Sequence, residues 1–460
     1  MLGVMGILVS LGLLMFLAYR GVSVILLAPV LALLACLFQA DGVPLLATYT
    51  QVFMPAMGDF AARYFPIFLL GAIFGKLMQD SGCARSIALQ FRDWLGERHA
   101  VLSIVLACGL LEYGGVSAFV VAFSVYPLAA ALFRELDIPK RLLGGTLALG
   151  AFTFAMTALP GTAQIHNVIP MSYFGTTAFA APVLGLTAAV MMVGGGVLWL
   201  NWRLRAARRA GEGYGTGHTR EPEAIDGGVP GFWTALLPIV AVIGVNLVMV
   251  RYVMPGWDTG YLGTDAYGNT DFESVRGLWG IIPALLVAGL LVAAVHFRSR
   301  AGLNRTLSDG AMGSLLPMFN TASEVGYGTT IATLAAFAVV KESVLNISPG
   351  NPLISEMVAV NVLAGITGSA SGGLGIALSA LGETYNELAA SLGVNPEFMH
   401  RIASMSSGGF DSLPHNGAVI TLLTICGLTH RQAYPDIAVV SLLIPFLVTA
   451  TCVAGLSLIL

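Results

Sequence analysis

Charged residues are scarce in this sequence. Asp, Glu, Lys and Arg together make up 10% of its 460 residues, whereas they account for roughly a quarter of an ordinary globular domain. Hydrophobic residues make up 56%, and the mean hydropathy is +0.82. A chain of this length with so few charges cannot cover a water-soluble globule with polar side chains. The sequence therefore predicts an all-α integral membrane protein.

The signatures of several other protein classes are also missing. The net charge is only −3, with no basic patch, so a nucleic acid is not expected as a partner. There is no HExxH motif, no CxxC pair and no Ser–His pair that spacing alone would bring together. We therefore predict no catalytic residue, metal site or cofactor, and no enzyme. The cysteines lie in apolar runs and are expected to be free thiols: Cys36, Cys83, Cys108, Cys426 and Cys452.

One pattern occurs twice in the chain. The first copy reads Glu112-Tyr113-Gly114-Gly115, then Asp137-Ile138-Pro139, then Leu159-Pro160-Gly161-Thr162. The second copy reads Ser371-Gly372-Gly373, then Val394-Asn395-Pro396, then Leu413-Pro414-His415-Asn416. The similar spacing predicts two duplicated repeats, over residues 1–200 and 230–460. Interrupted apolar helices at corresponding places of two halves are typical of a transporter's binding site.

The placement of Lys and Arg predicts how the chain crosses the membrane, because cytoplasmic loops are rich in these residues. Arginines cluster between 203 and 220, so residues 201–229 are predicted to be a cytoplasmic linker between the repeats. No Lys or Arg occurs from 252 to 275, so that loop is expected outside. The run from Leu2 to Tyr19 lacks the basic start of a signal peptide and is expected to be the first retained helix. By this parity the two repeats run in opposite directions.

Two apolar stretches do not fit as simple crossings, because both of their ends fall on one side of the membrane. Residues 100–134 are predicted to be a re-entrant hairpin, and residues 353–392 are its counterpart, each turning at its glycines. Residues 141–175 and 398–428 are too long for one helix and are predicted to break in mid-membrane at the two Leu-Pro motifs. Each repeat then has five crossings and one hairpin, which makes ten crossings in all.

Helix breaks supply the expected chemistry. A restarting helix exposes N–H groups that carry partial positive charge and attract an anion. We expect such starts at Pro160-Gly161-Thr162 and at Pro414-His415-Asn416, each facing a hairpin tip, with few Lys or Arg at midplane depth. The candidate substrate-binding residues are Tyr113, Gly114, Gly115, Pro160, Gly161, Thr162, Gln164, His166, Asn167, Ser369, Ser371, Gly372, Gly373, His415 and Asn416.

Each of these assignments has a plainer alternative. His166 and His415 could be packed helix residues bonded to backbone carbonyls, and Gly372 and Gly373 could serve close helix packing alone. Glu112, at a hairpin tip, and Asp411, next to a break, are the deepest carboxylates and are predicted to couple transport to a proton or another cation. For them the alternative is a structural role, capping loose N–H groups or pairing internally.

At this point the residues resemble a known family. The tip Glu112-Tyr113-Gly114-Gly115, the second tip Gly368-Ser369-Ala370, the segment Val394-Asn395-Pro396-Glu397-Phe398-Met399 and the pair His415-Asn416 resemble the gluconate permease family of the ion transporter superfamily. Within the family, the segments around Pro160 and Pro414 are most similar to the hydroxybutyrate permease branch. The resemblance covers nearly the whole chain.

The resemblance implies a multi-pass protein of the bacterial inner membrane. It implies a secondary transporter for a small hydroxycarboxylate such as 3-hydroxybutyrate or a gluconate-like acid, proton-coupled, with a homodimeric scaffold and a moving transport domain of elevator type. The expected partners are the organic anion, a coupling cation (H⁺ or Na⁺) and the lipid bilayer. A passive anion channel and a Na⁺-coupled carboxylate transporter are the alternative functions.

Overall fold

The computed structural model describes residues 2–20, 22–39, 42–96, 99–216, 229–297, 300–348, 350–414 and 416–458. Every regular element in these ranges is a helix. Six helices are long and apolar enough to cross a membrane: Leu45–Asp80, Ala118–Glu135, Pro182–Arg209, Phe232–Gly256, Phe272–His296 and His430–Ser457. A seventh span results if Arg300–Thr333 and Phe337–Ser343, which meet at a bend of 98°, are counted together.

The expected ten crossings are therefore not found in the described ranges. Several apolar helices are shorter than a full crossing, namely Leu2–Leu14, Val24–Leu37, Ala100–Tyr113, Leu142–Thr157, Pro352–Thr367 and Gly417–Cys426. Val24–Leu37, with 14 residues, is about 21 Å long at ~1.5 Å per residue, against a hydrocarbon core of about 30 Å. Hydropathy alone counted such helices as crossings because it does not measure where a helix ends.

The order of elements in the first half recurs in the second. A long helix is followed by a short helix, a hairpin, a broken helix and a closing helix. In the first half these are Leu45–Asp80, Cys83–Leu95, Ala100–Tyr113 with Ala118–Glu135 (hairpin 1), Leu142–Ala151 with Ile165–Phe174 (broken helix 1) and Pro182–Arg209. In the second half they are Arg300–Thr333, Phe337–Leu345, Pro352–Thr367 with Ala370–Leu392 (hairpin 2), Pro396–Ser407 with Gly417–Cys426 (broken helix 2) and His430–Ser457.

Corresponding helices of the two halves pack antiparallel. The Thr306 hydroxyl donates to Asp80 at 2.7 Å, whereas Gly326, further along the same helix, lies against Phe53, near the start of the other. The closing helices behave likewise, since Arg203 near the end of one pairs with Asp436 near the start of the other at 2.7 Å. The two long helices and the two closing helices therefore each form an antiparallel pair.

The helices fall into two packed groups. The hairpins, broken helices and closing helices pack on one another, and we call them the core. The frame consists of Leu2–Tyr19, Val24–Leu37, Leu45–Asp80, Phe232–Gly256, Phe272–His296 and Arg300–Thr333. On the closing helix Pro182–Arg209, large apolar side chains such as Val183 and Val190 are exposed at helical spacing. Such a surface is expected to face lipid.

The linker begins later than the sequence predicted. The closing helix runs to Arg209, so residues 201–209 are helical and do not belong to the linker. Beyond it, Glu212 accepts two hydrogen bonds from Arg141, at 2.7 and 2.9 Å, which hold the pKa of the Glu212 carboxyl below its usual value. The Tyr214 N–H donates to Asp137 at 2.8 Å. Residues 217–228 of the predicted linker lie outside the described residues.

The buried carboxylate of Asp436 links the two closing helices to the start of broken helix 1. Asp436 is fully buried and accepts from Arg141 at 3.2 Å, Arg203 at 2.7 Å and the Trp199 indole at 3.1 Å. Three segments that are far apart in sequence therefore meet at one side chain. The two arginines keep 20% and 28% of their side-chain surface exposed.

Replacing Asp436 by asparagine is expected to lower the free energy of unfolding by about 3 kcal/mol, because it leaves two guanidinium groups without their buried partner. Thermal unfolding of the purified protein in detergent measures the loss. Glu212→Gln is the matched control: it removes the more exposed partner of Arg141 and should cost less than about 1 kcal/mol. Equal unfolding temperatures for the two variants would show that Asp436 does not hold these helices together.

Candidate transport site

Hairpin 1 is tied to the break in broken helix 1, which spans residues 152–164. After a single π-helical turn at Phe154–Ala158, the chain turns at Pro160-Gly161 and is extended at Gln164. The Gln164 amide donates to the backbone carbonyls of Glu112 at 2.7 Å and Val116 at 3.0 Å. The Tyr113 hydroxyl donates to the Pro160 carbonyl at 2.8 Å. The tip and the break are thus in direct contact.

Hairpin 2 is tied to the break in broken helix 2, residues 408–416, in the same way. The Asn416 amide donates to the Gly368 carbonyl at 2.7 Å. Like Gln164, Asn416 immediately precedes the helix that restarts after the break. Each half therefore uses a side-chain amide at the helix N-cap to bind the tip of its own hairpin.

The helix starts differ from the predicted ones. The first helix restarts at Ile165 and not at Pro160-Gly161-Thr162, so the residue equivalent to Asn416 is Gln164 and not Thr162. Ile165 follows Pro160 by five residues, whereas Gly417 follows Pro414 by three. Because the Leu-Pro motif is the same in both halves, it does not predict this difference in where the helix restarts. His415 lies outside the described residues.

The residues between Pro160 and the restart are engaged with the protein itself. Gly161 has φ 85°, which favours glycine, and its N–H donates to the Ala178 carbonyl at 2.7 Å. The Thr162 hydroxyl accepts from the Gln164 N–H at 3.4 Å. In break 2, the Asn416 side-chain oxygen accepts from the N–H groups of Ala418 and Val419. The second helix start is therefore capped by its own chain, and its N–H groups are only partly available to an anion.

The two breaks cross at Thr157. The Thr157 carbonyl accepts from the Ser404 hydroxyl at 2.8 Å, and a Cβ on Gly408 would lie 2.7 Å from the Thr157 methyl. Such close packing requires glycine at 408. The crossing brings break 1 and break 2 into one buried region.

Asn167 joins the two broken helices. Its amide donates to the carbonyls of Thr162 at 2.9 Å and Ala178 at 3.0 Å, and its side-chain oxygen lies 3.0 Å from His400 Nε2 and accepts from Arg401 at 3.0 Å. All of its polar atoms are therefore used within the core. The neighbouring His166 has a buried Nδ1 without a hydrogen-bond partner.

Arg401 is the most important residue of this region that the sequence analysis missed. It is fully buried, although few basic residues were expected at midplane depth. Besides Asn167, its guanidinium donates to backbone carbonyls at 2.7–3.5 Å, those of Ala180, Ala178 and Thr157. In the described part of the chain it has no carboxylate within ion-pair distance. One positive charge thus stands at the crossing of the breaks, bound only to neutral acceptors.

The glycines at the tips are explained by close packing. A Cβ on Gly373 would collide with the Ala364 backbone, and one on Gly372 with the Glu324 carboxylate. Gly115 has φ 91°, and Gly114 lies against Ile239 of the frame. Close packing at this tip therefore requires glycine at positions 372 and 373.

The serines of hairpin 2 have different neighbours. The Ser369 hydroxyl accepts from the Gly372 N–H at 3.0 Å and caps the second arm. Ser371 Oγ lies 3.2 Å from Thr321 Oγ1, on the frame helix Arg300–Thr333. Ser371 therefore faces the frame, whereas the tie to break 2 comes from the Gly368 carbonyl.

Besides Asp436, four carboxyl groups among the described residues are buried in the core or at its border. Both predicted ones are among them: Glu112 is fully buried with no partner for either oxygen, and Asp411, 6% exposed, accepts from the Ser412 hydroxyl at 3.2 Å. Glu324 and Glu356 were not singled out by the sequence, and both are buried. No group of three or more His, Cys, Asp or Glu that could hold a metal ion occurs in the described ranges.

A cavity of 420 Å³ opens at the end of broken helix 1 and beside the frame helix Phe232–Gly256. Its polar lining consists mainly of Arg251, Arg276, Asn395 and Glu397. None of the predicted site residues lines it. Each hairpin tip is instead packed directly on the break of its own half.

Comparison with known proteins agrees with this architecture. Residues 2–317 match the family model for GntP family permeases. The chain is 45% identical over 451 residues to the uncharacterized transporter YxjC of Bacillus subtilis, covering 95% of both chains. It is 29% identical over 246 residues to a low-affinity gluconate transporter of Escherichia coli K12, a match that spans 51% of this chain and 49% of that one.

Two solved structures share the fold. The YdaH transporter of Alcanivorax borkumensis superimposes with a TM-score of 0.55 at 16% identity, covering 91% of this chain and 88% of that one. MtrF of Neisseria gonorrhoeae, described as one of a class of antimetabolite efflux pumps, gives 0.54 at 11% identity and covers 90% and 84%. The chain thus belongs to the GntP family of permeases, the gluconate permease family, and is a multi-pass membrane transporter and not an enzyme.

Proposed function

We propose that this permease is a secondary active symporter, driven by protons, for a small hydroxycarboxylate such as 3-hydroxybutyrate or a gluconate-like acid. The observation that carries the proposal is the buried Arg401 charge at the crossing of two helix breaks. A buried cation with only neutral acceptors creates a positive potential that a carboxylate would compensate. The relative named a gluconate transporter supports a hydroxy acid as the substrate.

Polar groups near the breaks fit the rest of such a substrate. Amides, hydroxyls and backbone N–H groups are suited to bind hydroxyl and carboxylate oxygens without a further ion pair. Because the Arg401 donors are held by protein carbonyls, the guanidinium would act mainly through its field. The donors in contact with the substrate would be those of the tips and breaks, among them Ser369, together with Tyr113 and Asn416 once these release the carbonyls of Pro160 and Gly368.

Transport would proceed by movement of the core against the frame, in the elevator manner. The antiparallel packing of corresponding helices supports inverted repeats over residues 1–200 and 230–460. The protein would lie in the bacterial inner membrane, and the linker between the repeats would lie in the cytoplasm. A homodimer would hold the frame still while the core moves. Glu112 and Asp411 are the proposed coupling groups, since ionisable side chains at membrane depth are costly and usually functional.

Accumulation in proteoliposomes tests the proposal. With an inward proton gradient, we expect labelled 3-hydroxybutyrate or gluconate to concentrate inside above its equilibrium level, and a protonophore to abolish the effect. Accumulation that needs an inward sodium gradient instead would identify Na⁺ as the coupling ion. Equilibration without accumulation under either gradient would identify a passive anion channel and contradict symport.

A further inference from the structure

Glu324 stands where the frame meets the tip of hairpin 2. It lies on the frame helix Arg300–Thr333 and is 1% exposed. Its carboxyl group lies beside Ser369 and Gly372 at the tip, and its Oε2 atom has no hydrogen-bond partner. Its carboxylate occupies the space that a side chain at position 372 would need. The contact thus depends on glycine at that position.

The surrounding surface is built for close approach. The frame helix and the second arm of hairpin 2 touch through small residues: a Cβ on Gly328 would lie 2.9 Å from Ser379 Oγ, and one on Gly375 would lie 2.8 Å from Val325. Thr321 and Ser371 extend this seam at 3.2 Å. Small residues allow two helices to pack tightly and also to separate without leaving bulky side chains interlocked.

Within the described residues no charged group is paired with Glu324, and the nearest titratable group on its own helix is Tyr327, whose hydroxyl lies 2.9 Å from Ser10 Oγ. From hairpin 2, Glu324 is met by Ser369 and Gly372, and on its own helix Asn320 lies one turn earlier. From the frame helix Leu45–Asp80, Met57 and Phe53 contact the neighbouring residues Ser323 and Gly326. An ionised carboxylate here would be uncompensated.

We infer that Glu324 is a proton-binding site that controls whether hairpin 2 is seated on the frame. The inference rests on the proposed function and adds to Glu112 and Asp411 a further titrating position, on the part of the molecule that is proposed to stay still. With the proton bound, the neutral carboxyl group fits the dry seam. When the proton leaves to water, the bare carboxylate needs hydration, and the tip must separate from the frame to provide it.

The sign of the pH dependence follows from this linkage. Seating the tip keeps a proton on Glu324, so seating is favoured at low pH and weakens as pH rises. Since Glu324 lies on the frame, it would not travel with the substrate as a carried proton does. It would instead decide when the hairpin can open.

A cross-linking experiment tests the inference in the full-length protein. The five native cysteines, all buried, are replaced by alanine, and the reporter pair Thr321→Cys with Ser371→Cys is introduced at the seam. Disulfide formation is followed between about pH 5 and 9, and the pH dependence of thiol chemistry is removed by comparison with the same pair in Glu324→Gln. Relative to that variant, we expect cross-linking with Glu324 present to fall about tenfold across the range.

Two further variants serve as controls. Glu356→Gln replaces another fully buried carboxyl group, on the first arm of hairpin 2, and should leave the pH response unchanged. Gly372→Ala should lower cross-linking at every pH, because its Cβ displaces the carboxylate; this result keeps the test decisive if Glu324→Gln folds poorly. Cross-linking with Glu324 that follows the Gln variant at all pH values would overturn the inference.

This readout is independent of transport. If accumulation occurs and cross-linking shows no dependence on Glu324, the inference fails while the proposed symport stands. If cross-linking depends on Glu324 but no substrate accumulates under any gradient, the proposed symport fails while the proton-binding site stands.

Discussion

Arg401→Met is expected to abolish binding of the carboxylate substrate and to destabilise the permease. The change removes the buried positive charge beside break 1 and leaves the Ala180 carbonyl, which among the described residues accepts from Arg401, without a donor. A buried acceptor without a partner costs about 1–3 kcal/mol, and we expect a loss of that size in the free energy of unfolding. Thermal unfolding with and without 3-hydroxybutyrate measures both effects, because a ligand that binds the native state raises its stability.

Two controls separate charge from hydrogen bonding. Arg401→Lys keeps the positive charge but offers three donors in place of five, so it should recover part of the affinity and little of the stability. Arg251→Met removes an exposed arginine from the cavity beside the core and should leave the unfolding temperature unchanged. If Arg401→Met binds the substrate as the unmodified protein does, the positive centre has no part in recognition.

Glu112→Gln is expected to abolish proton-driven accumulation while exchange of substrate between the two sides continues. Glutamine keeps the shape of the side chain, and the Glu112 backbone carbonyl, which holds Gln164, is unaffected. It cannot release and take up a proton, so the gradient can no longer drive the cycle. Accumulation and exchange are measured on the same proteoliposomes.

Glu356→Gln is again the matched control, because it changes a buried, unpartnered carboxyl group away from the tip–break contacts. It should accumulate substrate normally. Normal accumulation by Glu112→Gln would instead assign coupling to Asp411, to a histidine or to a sodium ion.

Elements marked by backbone chemistry could be predicted from the sequence. Glycines at 114–115 and 368 mark the hairpin turns, and Pro160 and Pro414 mark the helix breaks, because these residues determine the local backbone whatever surrounds them. Their recurrence in both halves also predicted that each tip lies near a break. Local chemistry was sufficient for these features.

Features that depend on distant partners could not be predicted. Arg401 looks like an ordinary helix residue until Ala178 and Ala180, more than 200 positions earlier, supply its acceptors. The true helix start at Ile165 depends on Gln164 finding a hairpin tip about 50 residues away. The available signal was an arginine inside the predicted broken helix 398–428, which charge counting assigned to no loop.

The ties between tips and breaks are unequal in the two halves. Within the described residues, hairpin 1 is held by three hydrogen bonds, two from Gln164 and one from Tyr113, whereas hairpin 2 is held to its break by the single bond from Asn416. Separating hairpin 2 from its break would therefore break fewer hydrogen bonds than separating hairpin 1. Of two similar hairpins, hairpin 2 would then be the one that moves to admit and release substrate on either side of the membrane. Hairpin 1 would stay attached to its break.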